Sequence, residues 1–445
     1  MSAGLCLILV LVGLALSILI NAKLGHNIGL WALLFAWLIG CFGLGLKTSQ
    51  LVNMWPVSFT FIIVSLSIFY GYTGKTGLLE LVAKKIIYAN RNRAWILPLM
   101  IFLLSFAMCL LGCSTYAVTA LLAPIGFQIC ISAGINPILI VFSVMCPAAS
   151  SSFAPWALGA SQPLGYFAKT QWAEYAQDFE WYIWLNGLIG VVIMFIVLFV
   201  ICRGWRAKNI DVGTIEKPGE FTEEHKKVIW VIAIVALLAI VPAVIKLITG
   251  YNPKWFGYLD IQFVAIAGSI ALKFMNIGGK GAEMDIIKNR VPWPIVVMVA
   301  GVTTLMGVAK AGGAVDLIAN AISEHFPTNL IPAGIAMLAG FMTLFSGGMS
   351  VVTPTLLPLV EPLYTSTAGA LSPTWLATSV CIGANLPAVS PVSTGGSICL
   401  GMVPNEEWRQ KMFTRQFVLA AYLWVMDALC AGLGIFNLLK PAMFK

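Results

Sequence analysis

Charge is scarce in this sequence. Of its 445 residues only 10% are Asp, Glu, Lys or Arg, whereas 60% are apolar and the mean hydropathy is +0.92. A soluble domain carries about 25% charged residues, so this chain has too little charge to cover a water-facing surface. The scarcity excludes a cytosolic enzyme, a nucleic-acid-binding protein and a secreted disulfide scaffold, and it indicates a polytopic membrane protein.

Clustered metal ligands and catalytic pairs are also lacking. The three histidines, His26, His225 and His325, are isolated, and the ten cysteines form no CxxC pair. Because metal sites need such ligands in clusters, we expect no metal site and interpret the cysteines as small packing residues. A membrane-embedded enzyme needs a nucleophile with a base or a metal, and no His, Asp or Glu accompanies the serine-rich segments described below. The sequence therefore does not predict an enzyme.

Long apolar runs are abundant. At roughly 20 apolar residues per crossing, they leave room for about ten crossings and for no sizeable soluble domain. The first run, 3–20, has no basic leader and is interpreted as a span, not as a cleaved signal peptide. Two amphipathic stretches, 77–90 and 314–326, are too polar to cross and are predicted to lie at the membrane interface.

The two halves of the chain, 1–203 and 228–445, are joined by a hydrophilic linker over 204–227 and resemble each other. Two blocks align at nearly the same offset, 234 residues for the first and 236 for the second. The identical pairs are Val118/Val352, Thr119/Thr353, Pro124/Pro358, Pro137/Pro373, Pro155/Pro391, Gly159/Gly395 and Ser161/Ser397. The agreement predicts an internal repeat. The alternative is the Pro, Gly and Ser content that membrane helices share.

The basic residues predict an orientation, because Lys and Arg are retained on the cytoplasmic side of a membrane. With an external N-terminus, nineteen of the 26 basic residues fall in internal segments. The seven exceptions are Lys47, Lys169, Lys246, Lys254, Lys310, Lys440 and Lys445. This topology gives each half five crossings, inverts the second half relative to the first, places both termini outside, and puts Glu180 in an external segment. It describes a multi-pass protein of the cytoplasmic (inner) membrane.

Two apolar segments, 137–167 and 373–402, are longer than one span needs and are interrupted by polar residues. The interruptions are Pro147, Ser150-Ser151-Ser152 and Pro155 in the first segment, and Asn385, Pro387, Ser390-Pro391 and Ser393-Thr394-Gly395 in the second. Proline removes a backbone donor, and non-helical backbone at membrane depth survives only inside protein or beside a wet cavity. Both segments are therefore predicted to be broken helices that can bind a cation or an anion. The alternative is a proline kink healed by neighbouring Ser and Thr.

Two short uncharged turns, at 112–116 and 346–350, lie between apolar arms that span 95–134 and 329–368. Such turns favour re-entrant hairpins. The charge bias does not separate hairpins from pairs of full spans, since both return the chain to the same side. None of these four segments contains Lys or Arg, so an anion there needs N–H groups, hydroxyls and a co-bound cation. That requirement argues for symport.

Two acidic residues fall within apolar surroundings. Asp427 lies in the last span and Glu361 near the end of the second hairpin. An ionisable residue at membrane depth is a functional candidate, so either acid could be a protonation site. The alternatives are a hydrogen-bonded structural acid at Asp427 and a water-facing side chain at Glu361.

These segments resemble those of the ion transporter superfamily of secondary carriers. Within that superfamily they resemble the divalent anion/sodium symporter group, and most closely the malonate-carrier type of dicarboxylate permease. Ser114-Thr115-Tyr116 stands ten residues before Pro124, and Gly348-Met349-Ser350 stands ten before Pro358, as hairpin tips do in that superfamily. The stretch from Val389 to Gly396 is similar to the malonate-carrier pattern Ser-Pro-aromatic-Ser-Thr-Asn-Gly. Neither tip has the asparagine that is common in the superfamily.

The resemblance implies an all-α polytopic membrane protein with two inverted repeats of five spans. Each repeat would hold a re-entrant hairpin and a broken helix, and the chain would divide into an elevator-type transport domain and a scaffold that forms a homodimer. The implied function is Na⁺-coupled or H⁺-coupled symport of small organic anions, such as di- or tricarboxylates. The expected partners are the anion and the lipid bilayer, not nucleic acid, and no cofactor is expected beyond Na⁺ as a coupling ion.

The alternative is a cation/proton antiporter or another anion exchanger of the same superfamily. A cation/proton antiporter would be expected to place a carboxylate in the broken helices, and 137–167 and 373–402 contain no Asp or Glu.

The resemblance also assigns roles to individual positions. The predicted substrate-binding residues are Ser114, Thr115, Ser161, Gln162, Gly348, Ser350, Ser390, Pro391, Ser393, Thr394, Gly395 and Ser397. The predicted cation-binding residues are Ser150, Ser151, Ser152, Pro155, Gly159 and Asn385. The predicted site is thus neutral and rich in hydroxyl groups.

Overall fold

The computed structural model describes most of the chain. The described residues are 1–89, 93–110, 113–206, 218–249, 253–259, 261–291, 293–344, 347–391, 393–403 and 406–444. Within these ranges every regular element is a helix. The middle of the predicted linker and two turn residues, Gly112 and Ser346, lie outside the described residues.

The first half folds into a series of α-helices. In chain order they are α1 Ala3–Leu24, α2 Ile28–Trp37, α3 Thr48–Asn53, α4 Val57–Thr76, α5 Leu78–Ala89, α6 Leu97–Leu110, α7 Thr115–Ala133, α8 Pro137–Ser151, α9 Ser161–Phe167 and α10 Ala176–Ile201. The first amphipathic stretch is helix α5, the first hairpin segment is α6 and α7, and the segment 137–167 is α8 and α9.

The second half follows a similar order. Its α-helices are α11 Glu223–Thr249, α12 Ile261–Phe274, α13 Ala282–Asn289, α14 Trp293–Ala311, α15 Ala314–His325, α16 Ile331–Thr343, α17 Thr353–Leu356, α18 Val360–Ser366, α19 Pro373–Asn385, α20 Thr394–Gly401 and α21 Glu406–Gly432. The starts of α4 and α14, of α5 and α15, and of α8 and α19 are each 236 residues apart. Helix boundaries thus recur at the offset found in the sequence, and the inversion of one half stays a prediction.

The recurring boundaries have recurring local causes. The side chain of Asn136 accepts a hydrogen bond from the Ile138 N–H at 3.1 Å and caps α8, and Ser372 caps α19 by accepting from Trp375 at 3.2 Å. In both helices proline is the first residue, where its missing N–H costs nothing. Glycines with φ of +70° and +74°, Gly77 and Gly313, separate α4 from α5 and α14 from α15.

Few of the helices can cross a membrane alone. By length and composition, three stretches of the described residues can do so: Ala3–Ile20, Ala173–Ile201 and Pro373–Gly401. Two bent pairs raise the number to five if each is one span, and the pair Thr328–Thr343 and Gly348–Ser366, bent by 120°, lies in the second predicted hairpin. The predicted ten crossings depend on shorter apolar helices and remain a prediction.

The two largest clusters of buried apolar side chains are a large core and a smaller one. The large core joins both predicted hairpins and both broken segments to α1, α2, α10, α14 and α21. The smaller core is built from α4, α5, α11, α12 and α13. Helices α2 and α14 cross at glycines, since a Cβ on Gly301 would lie 2.0 Å from the Gly29 carbonyl oxygen. Such close backbone approach is typical of helices packed in membranes.

Segments that the sequence assigns to one side of the membrane meet at one end of the molecule. At the predicted internal end, Lys75 forms an ion pair with Asp285, and the His225 ring lies 2.8 Å from the Thr76 carbonyl oxygen. At the other end, the rings of Trp172 and Tyr364 are 5.0 Å apart. These contacts join segments that the sequence assigns to the same side, and the topology in the membrane stays a prediction.

Candidate substrate and ion site

The first broken segment loses its helical hydrogen bonds at Ser152. The Ser152 carbonyl oxygen accepts from the N–H groups of Gly159 at 2.7 Å and Ala160 at 3.2 Å, so the chain between α8 and α9 closes on itself. A Cβ on Gly159 would lie 2.6 Å from that same oxygen. Only glycine fits there, because any side chain would displace the carbonyl that holds the loop together.

The hydroxyl groups of this break donate to nearby carbonyls. Ser151 donates to Pro147 at 2.8 Å, Ser152 to Ala149 at 2.7 Å and Ser161 to Leu158 at 2.7 Å. A hydroxyl that donates in this way keeps its lone pairs, which can accept a hydrogen bond or bind a hard cation. Ser150 is fully buried, and its hydroxyl has no partner among the described residues. The break therefore offers hydroxyl lone pairs and one unused hydroxyl group, and its role as a cation site stays a prediction.

The second broken segment is fastened to the second hairpin. The Ser390 hydroxyl donates to the Leu344 carbonyl at 2.7 Å, and the Asn385 amide donates to the Thr353 hydroxyl at 3.2 Å. Ser393 caps α20, because its hydroxyl oxygen accepts from the Gly396 N–H at 3.3 Å. This cap and the preceding break place the start of α20 against the hairpin.

The two halves also meet each other at these segments. The Gln162 side chain, at the start of α9, donates to the Met349 carbonyl of the second hairpin at 2.6 Å. In the opposite pair, a Cβ on Gly395 would lie 3.7 Å from the Tyr116 ring of the first hairpin. Within the first half, the Trp156 ring N–H donates to the Leu110 carbonyl at 2.9 Å. All four predicted segments therefore converge on one region.

The predicted site residues differ in their burial. Thirteen are buried: Ser150, Ser151, Ser152, Gly159, Ser161, Gln162, Gly348, Ser350, Asn385, Ser390, Pro391, Ser393 and Gly395. Ser114, Thr115 and Pro155 are partly buried, and Thr394 and Ser397 are exposed. Gln162, Gly348, Asn385, Ser390 and Gly395 contact a different segment of the site. The hydroxyls of Ser114, Ser151, Ser152, Ser161, Ser393 and Ser397 bond within their own segments.

A cavity of about 440 Å³ opens beside the first break, at the predicted external end. Ser161 and Gln162 line it, and so do two lysines, Lys169 and Lys310. The Lys310 ammonium lies 2.8 Å from a carboxylate oxygen of Glu361, whose N–H donates to the Tyr166 hydroxyl at 3.1 Å. The volume falls in the range of about 300–1,000 Å³ that is usual for small-molecule sites.

The two lysines change the electrostatics that the sequence predicts. The four segments themselves contain no basic residue, yet the fold brings Lys169 and Lys310 next to them. Glu361 neutralises one of the two, which leaves the cavity with a net charge of +1. Both lysines are exceptions to the positive-inside bias. Basic residues are uncommon on the external side of a membrane, so the predicted external position of Lys169 and Lys310 could have marked them as candidate site residues.

Two buried acids lie next to the broken helices. Glu180 is 1% exposed and Asp427 is fully buried, and no carboxylate oxygen of either has a hydrogen-bond partner among the described residues. Glu180 lies within electrostatic range of Cys381 in α19, and Asp427 lies within electrostatic range of Cys146 in α8. The external position of Glu180 stays a prediction, but its side chain does not face water, because helix α10 begins at Ala176 and Glu180 is buried within the protein.

Comparison with known proteins finds a family that is similar to the N-terminal third of the chain, and solved structures that have a similar fold. The family described as dicarboxylate carrier protein MatC N-terminus matches residues 1–152. No curated protein sequence matches the chain.

Two solved structures have a similar fold along nearly the whole length. MtrF of Neisseria gonorrhoeae, described within a class of antimetabolite efflux pumps, is 14% identical with a TM-score of 0.60, over 99% of this chain and 96% of that one. The YdaH transporter of Alcanivorax borkumensis is 13% identical with a TM-score of 0.63, over 97% of this chain and 98% of that one. At these identities the similarity shows the fold alone.

Proposed function

We propose that this protein is a secondary active transporter that takes up small organic anions, di- or tricarboxylates, together with Na⁺ or H⁺. The observation that carries the proposal is the convergence of two broken helices and two hairpins, together with a cavity that is lined by the first broken segment, the second hairpin and two lysines. The similarity of residues 1–152 to the MatC N-terminus supports a dicarboxylate as the substrate.

The charges near the cavity favour symport over uniport. Lys169, Lys310 and Glu361 together contribute +1, so a bound dianion leaves an excess of one negative charge. The hydroxyl and carbonyl oxygens of the first break are hard ligands of the kind that alkali and alkaline-earth cations prefer. A Na⁺ ion at Ser150 and its neighbours, or a proton on a nearby carboxylate, would neutralise the loaded site.

We also propose that the hairpins and broken helices move together as an elevator within a homodimer. The resemblance supports this motion. The exposed apolar side chains of α11, among them Trp230 at 70% and Leu237 at 59%, offer a surface for lipid or a second protomer. Cross-linking of single-cysteine variants on α11 in membranes, made in a cysteine-free background, tests the dimer.

Uptake by reconstituted proteoliposomes tests the transport function. Labelled malonate, succinate, malate and citrate are offered with an imposed Na⁺ gradient, an imposed pH gradient or neither. We expect one of the two gradients to drive accumulation above that of protein-free liposomes. The Ser390→Ala/Ser393→Ala variant should reconstitute equally well and lose uptake, since it loses the bond to Leu344 and the cap of α20. Absence of gradient-driven accumulation for every carboxylate would reject the proposal.

Export or exchange is the second candidate, and the fold similarity to MtrF favours testing it, since that protein is described within a class of efflux pumps. The two modes differ in their driving force. An exchanger accumulates labelled anion when the vesicles are preloaded with unlabelled anion and no cation gradient is present. A symporter under the same preloading still responds to an added Na⁺ or H⁺ gradient, so one preparation distinguishes the two.

A further inference from the structure

A second cavity, of about 640 Å³, lies at the predicted internal end, away from the candidate site. Its walls come from three places in the chain: the junction of α7 and α8 near Asn136, the turn that follows α10, and the first turns of α21 near Trp408. Three arginines line it, Arg203, Arg206 and Arg415. The fold therefore concentrates positive charge from distant parts of the sequence.

None of the described residues that line this cavity is acidic. Among the described residues, the guanidinium groups of Arg203, Arg206 and Arg415 have no ion pair or hydrogen bond. Arg203 has a φ of +50°, in the left-handed region that residues with a Cβ seldom adopt, and it begins the turn that carries Arg206. The three exposed guanidinium groups place their positive charge around one cavity, so an anion is attracted to it.

The residues around the cavity indicate its depth relative to the membrane. Helix α10 belongs to the stretch Ala173–Ile201, which is long and apolar enough to cross a membrane, and Arg203 follows its end by two residues. Val200 and Ile201 are 54% and 64% exposed, as expected for side chains that face lipid. Trp205 is 51% exposed and follows the end of α10, where an aromatic residue at the membrane interface is expected. The end of α10 therefore has the features of a segment at the level of lipid headgroups, and the cavity lies beside it.

We propose that Arg203, Arg206 and Arg415 bind a phosphate group, supplied by the headgroup of an anionic phospholipid. The planar guanidinium group donates paired hydrogen bonds that match phosphate oxygens, and basic pockets between helices at the cytoplasmic interface are suited to anionic headgroups. A bound lipid would join the α7–α8 junction to the ends of α10 and α21. It would therefore stabilise the folded protein in proportion to its occupancy.

The test compares thermal unfolding in nanodiscs of pure phosphatidylcholine and of phosphatidylcholine with phosphatidylglycerol. We expect phosphatidylglycerol to raise the Tm of the native protein by several degrees, and native mass spectrometry to show a retained phosphatidylglycerol molecule. The Arg203→Gln/Arg206→Gln/Arg415→Gln variant should lose both effects. A matched control, Lys227→Gln/Lys280→Gln/Lys288→Gln, removes three exposed charges elsewhere at the same end and should keep both.

A detergent arm distinguishes the lipid from a soluble anion. Inorganic phosphate is added at fixed ionic strength, with chloride as the reference. A Tm shift there that equals the lipid effect and is lost in the arginine variant would overturn the lipid as the source. If the triple variant does not fold, Arg206→Lys replaces it, and a lowered count of retained phosphatidylglycerol is expected because lysine lacks the paired donors.

Two results would overturn the proposal altogether. The first is an equal Tm of the native protein in the two lipid mixtures. The second is a phosphatidylglycerol effect that survives in the arginine variant and disappears in the lysine control, since the effect would then belong to general surface charge.

Discussion

The side-chain amide of Gln162 donates to the main-chain oxygen of Met349 at 2.6 Å, across 187 residues of sequence. The bond joins the first broken helix to the second hairpin and so links the two halves at the candidate site. The other polar atom of the amide, Oε1, is buried without a partner among the described residues. Gln162 thus has one atom that holds the site together and one that remains available to a ligand.

Replacement of Gln162 by Glu should impair transport. A carboxylate cannot donate to Met349, and it adds negative charge to a cavity proposed to hold an anion. Loss of a buried hydrogen bond costs about 1–3 kcal/mol, so we expect the KM for the carboxylate to rise by roughly fivefold to a hundredfold. Asn53→Asp, which adds the same charge to the same cavity without breaking this bond, is the control. Equal KM values in the two variants would contradict a role for the bond.

Lys169 should set an alkaline limit on anion binding. Burial of part of its side chain lowers the pKa of Lys169, and the protonated form is the one that attracts an anion. Affinity should therefore fall as the pH rises through that lowered pKa, at a lower pH than an ordinary lysine would give. Lys169→Arg should move this limit to higher pH, because arginine stays charged. The measurement is KM against pH in proteoliposomes.

The control for Lys169 is Lys254→Gln, another external lysine that does not line the cavity. It should leave the pH profile unchanged, whereas Lys169→Gln should raise KM about tenfold at neutral pH, the equivalent of about 1.4 kcal/mol. An alkaline limit that Lys169→Arg does not move would assign the titration to another group.

The ion pair between Lys310 and Glu361 predicts an ordered series of affinities. Lys310→Gln leaves Glu361 unpaired and reduces the net charge of the cavity from +1 to zero, so KM should rise. Glu361→Gln raises the charge to +2, so KM should fall. The double variant returns to +1 and should resemble the native protein. The differences in KM among these variants should become smaller in high salt, because both side chains of the ion pair are partly exposed and salt screens their charges. A double variant as impaired as Lys310→Gln would contradict this electrostatic account.

Gly396 and Gly401 provide a matched pair within helix α20. A Cβ on Gly396 would lie 1.9 Å from the Ser390 carbonyl oxygen, whereas a Cβ on Gly401 would meet nothing within 4 Å. Gly396→Ala should therefore open the second break, lower the Tm and abolish uptake. Gly401→Ala should be neutral or stabilise the helix by up to about 1 kcal/mol, because alanine favours a helix over glycine. Similar Tm values for the two variants would show that the break tolerates a side chain.

The local features of the site could be predicted from the sequence, and its long-range features could not. The two helix breaks are caused by residues that act on the neighbouring backbone: Pro147 and Ser150–Ser152 in the first, and Pro387 and Ser390-Pro391 in the second. The sequence alone therefore predicts where each helix is interrupted. The charge of the cavity depends instead on Lys169 and Lys310, which lie in separate segments and come to one cavity because α9 and α14 both pack against the second hairpin. No periodicity or spacing in one sequence encodes that contact.

The burial of Glu180 also could not be predicted from the sequence. Its charged neighbours, Glu174 and Asp178, indicate an external loop, and a span-length argument does not say which of them enters the protein. Packing of α10 against α19 decides it, and that contact depends on both halves being folded. A comparable argument applies to Asp427, whose partners could not be named before α8 was placed beside α21.

Glu180 and Asp427 should tolerate neutral isosteres better than most buried polar residues do. An ionised carboxylate without a partner is very costly to bury, so each acid is expected to hold a proton or a bound cation. Glu180→Gln and Asp427→Asn should therefore keep the native Tm or raise it by a few degrees. If either acid carries the coupling proton, its variant should also lose accumulation driven by a pH gradient while it retains exchange between preloaded and external anion.

The matched control for this pair is Glu174→Gln, which neutralises an exposed acid just before the same helix α10. It should change neither the Tm nor the driving force. A Tm that falls by more than about 5 °C in Asp427→Asn or Glu180→Gln would mean that the carboxylate is ionised and paired in the folded protein, because only then does removal of its charge leave a partner unsatisfied. Unaltered pH-driven accumulation in both variants would instead assign the coupling to Na⁺ or to another group, and the hydroxyl-rich first break around Ser150 would be the place to search for it.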